Sequence, residues 1–217
     1  MGREPIRAIR RRGLTLPEVA GILFLLAAVA LVAVPGFLST RIVANEEGAI
    51  ALLNRISDLE EQYLDRSGGK SYAFLRELLG QGDRRKEWLD AELLLDVEPD
   101  SLQNDTLTVG GYHFVIYIPD ERRRPMVRPE LHDESRSPKM WVAYAWPIMY
   151  GQTGRQVFAA DWQGRLWGLQ NAVSSYSGLR GGPPAGLLAS RFPVKDQPFR
   201  NPGRMMMRQR WELLPTP

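Results

Sequence analysis

The sequence predicts an α+β protein in which a long N-terminal helix, bent at Pro35, packs against a small antiparallel β-sheet. Three observations support this fold class: a run without charged residues from Val19 to Leu38, an amphipathic pattern of helical period after it, and an alternating pattern beyond Leu107. The patterns place the helix before the sheet along the chain, which is typical of the segregated arrangement of α+β domains.

The uncharged run predicts that the first half of the helix spans a membrane. At 1.5 Å per residue, the twenty residues 19–38 form a helix of about 30 Å, the thickness of the hydrocarbon layer. Five arginines lie within the first thirteen residues, and the positive-inside rule places such a segment in the cytoplasm. We therefore expect the rest of the chain to lie outside the cytoplasm.

The second half of the helix is predicted by a stripe of apolar residues that ends near Arg66. The stripe comprises Ile42, Ala49, Leu52, Leu53, Ile56, Leu59 and Tyr63. Gly68 and Gly69 follow and are typical of a helix C-terminus. Two short helices are expected next, one from Ser71 and one from Arg85, so that residues 39–106 form a helical segment.

Residues 107–177 predict a meander of three or four antiparallel strands. The segments LTVGGYHFVIYIP, KMWVAYAWPIMY and RQVFAADWQGRLWGL alternate in polarity and are rich in aromatic and β-branched residues. Residues 161–164 form a predicted tight turn that places Trp162 at an exposed tip, where it is a candidate contact for a neighbouring protein. The charged, proline-containing block 119–138 is predicted to be an inserted loop, and 178–217 an extended basic tail.

Charge and cysteine content exclude several function classes. The formal charge is +3, but the first thirteen residues contribute +4 and the rest of the chain carries −1. This balance argues against a broad cationic face for nucleic acid, although exposed arginines at 122–124 leave a DNA contact as an alternative. The chain has no cysteine, which excludes thiol catalysis, disulfides and cysteine-based metal sites.

The sequence does not predict an enzyme. Its two histidines, His113 and His132, are not at a metal-ligand spacing, and no nucleophile elbow, Walker loop or zinc-protease motif occurs. The segment DVEPDSLQND supplies oxygen ligands of the kind that calcium prefers, with Asp96, Asp100 and Asp105 as the candidate ligands. The alternative interpretation of this segment is a turn capped by its Asp and Asn side chains.

The first forty residues contain a motif with fixed spacings. Gly13 is followed by Leu14, Thr15, Leu16, Pro17 and Glu18, and this segment resembles the processing site of type IV pilins and of type II secretion pseudopilins. Counted from Leu14, Glu18 is the fifth residue and Pro35 the twenty-second, which are the positions of the glutamate and the helix-bending proline in that family. Leu14 and Pro17 depart from the phenylalanine and the branched aliphatic residue usual there.

The resemblance implies a fold, a processing pathway and a set of partners. A prepilin peptidase would cut after Gly13, remove the cytoplasmic leader 1–13 and methylate the new amine of Leu14. Residues 14–38 would form the membrane-spanning and filament-core half of a pilin-like fold. Glu18 would pair with the Leu14 amine of a neighbouring subunit and set its register in a helical filament. The family also implies a bacterial inner-membrane location with a single pass and a periplasmic C-terminal domain, and assembly driven by a cytoplasmic ATPase.

Other interpretations of the N-terminus remain open at this point. A secretory signal could be cut at Ala28-Val29-Ala30, and a plain signal anchor would stay uncut. The anchor interpretation predicts a membrane-anchored periplasmic scaffold or binding domain that does not polymerise. Within the pilin-like class, the sequence does not separate a pseudopilin from a pilus subunit, although the absence of a cysteine pair is more typical of pseudopilins.

Overall fold

The computed structural model describes residues 15–81, 101–128, 139–172, 176–188, 199 and 210–215, without the side chains at 30 and 32–35. Several predicted features lie outside these residues, namely Gly13 and Leu14 of the processing motif, Asp96 and Asp100 of the calcium candidate, His132 and the short helix expected from Arg85. The chain divides into two compact units, Met1–Thr40 and Arg41–Pro217.

Helix α1 (Leu16–Arg66) contributes its first part to one unit and its remainder to the other. It ends with two successive glycines in the left-handed region, Gly68 and Gly69, at φ values of 68° and 75°. The Gly69 N–H donates to the carbonyl of Leu64 over 2.8 Å, which satisfies a carbonyl of the last turn. A second, one-turn helix, α2 (Leu75–Leu78), begins where Glu77 accepts the N–H of Phe74 at 2.7 Å.

The described residues of the second unit form one antiparallel sheet of eight strands. In chain order they are β1 (Ser101–Gln103), β2 (Thr106–Val109), β3 (Tyr112–Pro119), β4 (Pro125–Met126), β5 (Val142–Pro147), β6 (Gln156–Asp161), β7 (Leu166–Gln170) and β8 (Trp211–Leu213). The spatial order is β1-β2-β3-β5-β6-β7-β8, and β4 pairs with the C-terminal end of β3. Because every pair is antiparallel, consecutive strands connect through turns at alternate ends of the sheet.

Both faces of this sheet are buried. One face packs on the apolar stripe of α1, with Leu53, Ile56 and Leu59 fully buried against it. The other face, which includes Trp211 of β8, is covered by residues 185–188 and Phe199. Successive residues of β5 alternate between the two clusters, as the period of two requires: Ala143 faces α1, and Tyr144 faces the second cluster.

Two polar side chains of α1 bind the end of the sheet at which β6 begins. Asn45 donates to the carbonyl of Thr153 over 2.9 Å. Glu46 accepts the backbone N–H groups of Arg155 and Gln156 at 2.7 and 3.1 Å, at the point where β6 begins. These bonds fix the position of the helix along β6, since one residue of slip would break all three.

The predicted fold class is wrong. The sheet has eight strands and is not small, because β1, β4 and β8 lie in segments that the sequence assigned to a turn, an insert and a tail. Each of these strands has only two or three residues, too few to show alternation, so tertiary pairing decides their conformation. The expected membrane-spanning half is also part of this correction. Across the described part of the chain, no helix combines the length and apolar character needed to cross a membrane.

Candidate functional site: the exposed start of helix α1

Glu18 has a partner within its own chain. The backbone N–H of Thr15 and its hydroxyl both donate to Oε2 of Glu18, each over 2.7 Å. Thr15 is the residue before the helix and Glu18 its third residue, so this is the backward bond of a capping box. Pro17 lies in the first turn, where a missing N–H removes no helical bond. Glu18 therefore caps α1 in the single chain.

The capping role of Glu18 has a local signal in the sequence that the prediction above does not use. The tetrapeptide Thr15-Leu16-Pro17-Glu18 has the threonine and glutamate spacing of a capping box, and an apolar run follows it. The resemblance to prepilin motifs implies instead that the partner of Glu18 lies in another subunit. Of the other residues of that motif, Gly13 and Leu14 lie outside the described residues, and α1 continues through Pro35.

The first part of α1 is exposed on all sides. Every residue described between Leu16 and Thr40 is exposed, and the apolar ones include Leu16 at 87%, Phe24 at 79% and Leu31 at 77%. Among the residues of the helix whose side chains the structure describes, the first buried one is Ile42. Exposed apolar surface of this extent is typical of a site that contacts another protein or a lipid phase.

The calcium candidate Asp105 is engaged by arginines. It lies in the two-residue turn between β1 and β2, where Asn104 and Asp105 both have positive φ. Its two carboxylate oxygens accept separate bonds from the Nε groups of Arg76 and Arg128, and its side chain is buried. Within the described ranges, no group of three or more histidine or acidic residues is placed to hold a metal. The Asp105 carboxylate thus joins the β1–β2 turn to helix α2 and to the residue two positions after β4.

The arginine cluster proposed as a DNA contact lies in a capped turn. Asp120 accepts the N–H groups of Arg122 and Arg124 at 2.9 and 2.7 Å, and the Nε of Arg124 at 2.6 Å. Arg123 completes the turn with a φ of 59°. Arg124 is thus paired with Asp120 within the chain.

A second turn repeats this arrangement between β6 and β7. Asp161 accepts the N–H groups of Gln163 and Arg165 and, at 2.9 Å, the Nε of Arg165. Trp162 follows Asp161, but it is half-buried and contacts both apolar clusters, so the prediction of an exposed tip is wrong for its side chain. The backbone N–H of Trp162 donates to the backbone carbonyl of Trp141 over 3.3 Å, which holds the turn against the residue before β5.

His113 is a structural residue. Its Nδ1 lies 2.8 Å from the hydroxyl of Thr108, and its ring centroid lies 5.4 Å from that of Trp146. Burial lowers the pKa of His113, which favours the neutral ring.

Comparison with known proteins adds no relative. No family model, curated protein or solved structure matches the chain. The function must therefore be argued from the processing motif and from the exposed, capped start of α1.

Proposed function

We propose that the chain is a structural, pilin-like subunit that is cut after Gly13 and assembles into the helical filament of a type II secretion or type IV pilus machine. Its partners in this proposal are the prepilin peptidase and other pilin-like subunits. The assembly platform and its ATPase act on it indirectly, and the chain performs no catalysis. Before assembly it resides at the bacterial inner membrane, with the sheet domain on the periplasmic side.

The observation that carries the proposal is the exposed apolar surface at the start of α1. Burying one leucine or phenylalanine side chain is worth about 1.5–3 kcal/mol, whereas bringing two chains together costs roughly 4–15 kcal/mol. Burial of about five such side chains therefore offsets the cost of association. Between Leu16 and Leu38 the structure exposes more than that number: Leu16, Val19, Ile22, Leu23, Phe24, Leu25, Leu26, Val29, Leu31, Phe37 and Leu38.

The geometry of Glu18 is compatible with a second partner. Both bonds from Thr15 end on Oε2, and a carboxylate offers about four acceptor positions. Oε1 can thus accept a hydrogen bond from the methylated amine of Leu14 in a neighbouring subunit, while Oε2 keeps its bonds to Thr15. In a low-dielectric filament core, the pairing removes the cost of isolating either charge.

The decisive test is the intact mass and the N-terminal peptide of the chain purified from its native host. The proposal predicts a mature chain that begins at Leu14 and carries one methyl group on its amine. An intact Met1 or Gly2 would favour the scaffold that does not polymerise. An N-terminus beyond Ala30 would indicate a discarded signal peptide and would overturn the proposal.

A further inference from the structure

A groove lies between the second part of α1 and the turn that joins β6 to β7. Its volume is about 540 Å³. We call it the acidic groove and define it by three carboxylates, Asp58, Glu61 and Asp65, and three aromatic residues, Tyr72, Trp141 and Trp162. All of these residues belong to the second unit of the chain.

The carboxylates form the outer wall of the acidic groove. Asp58, Glu61 and Asp65 are spaced by three and four residues, so they share one face of α1, and all three are exposed. Of the three, Glu61 acts electrostatically on the inner wall. Burial is the main cause that raises the pKa of Tyr72, and the charges of Glu60 and Glu61 raise it further.

Aromatic rings form the inner wall. Tyr72 and Trp141 are buried and meet edge to face, with centroids 6.4 Å apart and planes at 69°. Trp162 is half-buried beside them in the turn. Of the three rings, Trp162 keeps the most exposed surface, and a ring next to carboxylates suits a guanidinium group, which stacks on the ring and pairs with an acid at once. An ammonium group is more strongly hydrated and does this less well.

Exposed arginines lie at the opposite end of the same sheet. In β6 and β7, Ala160 pairs with Leu166 beside the acidic groove, and Gln156 pairs with Gln170 at the far end. Trp211 pairs with Leu169, so Arg210 leaves the sheet at that far end. The side chain of Arg210 is 87% exposed and forms a 3.7 Å contact with the exposed Glu212.

Two further arginines accompany Arg210. Arg155 is exposed and directly precedes β6. Arg180 is exposed and follows Gly178, whose N–H donates to the carbonyl of Ile148 just beyond the end of β5. We call Arg155, Arg180 and Arg210 the basic end of the sheet domain.

We propose that the basic end of a second copy of this chain docks into the acidic groove, with an arginine side chain between the carboxylates and the aromatic wall. The two surfaces differ and lie at opposite ends of one sheet, so the contact is head to tail and repeats without closing. This inference rests on the proposed function, because a filament supplies the second copy, but it concerns a different surface from the start of α1.

Disulfide trapping between two full-length copies tests the contact. The natural chain has no cysteine, so each copy carries only the cysteine that is introduced. One copy carries Gln163→Cys at the acidic groove, and the other carries Gln170→Cys beside the basic end, each with its own tag. Both are expressed together in the native host and oxidised. We expect the 163–170 bond to form at least about tenfold faster than the 163–163 or 170–170 bond, because tenfold corresponds to one modest interaction.

Charge variants then identify the side chains that matter. Replacing Asp58, Glu61 and Asp65 by Asn, Gln and Asn is expected to slow the 163–170 bond about tenfold or more, and so is Arg210→Gln. Arg122→Gln is the matched control: its side chain is 69% exposed, but it lies at the groove end of the sheet, so the rate should not change. High salt should also slow the bond.

The outcomes separate this inference from the proposed function. A Leu23→Cys pair on α1 reports filament packing in parallel, and the mature N-terminus reports processing. Processed chains that form the Leu23 bond but not the 163–170 bond would overturn the inference and leave the filament intact. A dominant 163–163 bond, or an unchanged rate in the triple variant, would overturn it too. A 163–170 bond in unprocessed chains would support the docking contact and remove the pilin function.

Discussion

The two aspartate-capped turns allow a matched test of backbone strain. In each turn the fourth residue has a left-handed conformation, and its N–H donates to the carbonyl of the first residue over 2.9 Å. That residue is Arg123 in one turn, with φ of 59°, and Gly164 in the other, with φ of 70°. A residue with a side chain is about 1–2 kcal/mol less stable than glycine in this conformation. Glycine in turn loses more conformational entropy on folding, which offsets about 0.4–1 kcal/mol of that difference.

We expect Arg123→Gly to be about 1 kcal/mol more stable than Arg123→Ala. Both variants lose the same arginine contacts, so their difference isolates the backbone. Gly164→Ala should lower the free energy of unfolding by a similar amount, because a Cβ there would meet no atom within 4 Å and only the backbone resists it. Urea unfolding followed by tryptophan fluorescence measures all three. If Arg123→Ala were as stable as Arg123→Gly, the strain argument would be wrong.

Three further predictions concern charged residues. Asp105→Asn should destabilise the domain by about 1.5–3 kcal/mol in urea unfolding, because charged hydrogen bonds to two partly exposed arginines are lost, and Glu121→Gln in an exposed position should change little. Burial lowers the pKa of His113 in the folded chain. As pH falls, the unfolded chain therefore binds a proton at this histidine before the folded chain does, and the free energy of unfolding should decrease below about pH 6.5. This slope should disappear in His113→Gln and would contradict the assignment if it did not. Glu18→Gln keeps an acceptor for Thr15 but loses the charge, so it should block filament assembly as fully as Glu18→Ala, and a functional Gln variant would limit Glu18 to capping.

The longer strands could be predicted from local pattern, and the shorter ones could not. β3, β5, β6 and β7 lie within the three segments that are rich in aromatic and β-branched residues, and nearly all of their residues are buried because both faces of the sheet are covered. β8 has three residues and exists because β7 offers an unpaired edge. β4 forms because the Asp120 turn folds the chain back onto β3.

The candidate sites show the same division. The Thr15 and Glu18 spacing is local and could be recognised as a cap, and the aspartate-capped turn at 161–164 was recognised as a turn. The acidic groove was not predicted, because its aromatic wall comes from three separate segments around Tyr72, Trp141 and Trp162. Nor could Asp105 be matched with Arg76 and Arg128, which lie 29 and 23 residues away along the chain. Only the folded chain brings such groups together.

The attachment of α1 to β6 has a consequence for the order of events during synthesis. Asn45 and Glu46 bind residues 108 to 110 positions later in the chain, so the helix leaves the ribosome long before the strand that holds it. In the first part of that interval, before β2, β3 and β5 have been made, the stripe of Ile56 and Leu59 has no sheet to cover it. Contacts this distant in sequence form slowly, and exposed apolar surface favours aggregation meanwhile. The nascent chain therefore exposes the apolar stripe of α1 until the first strands that pack on it have been made.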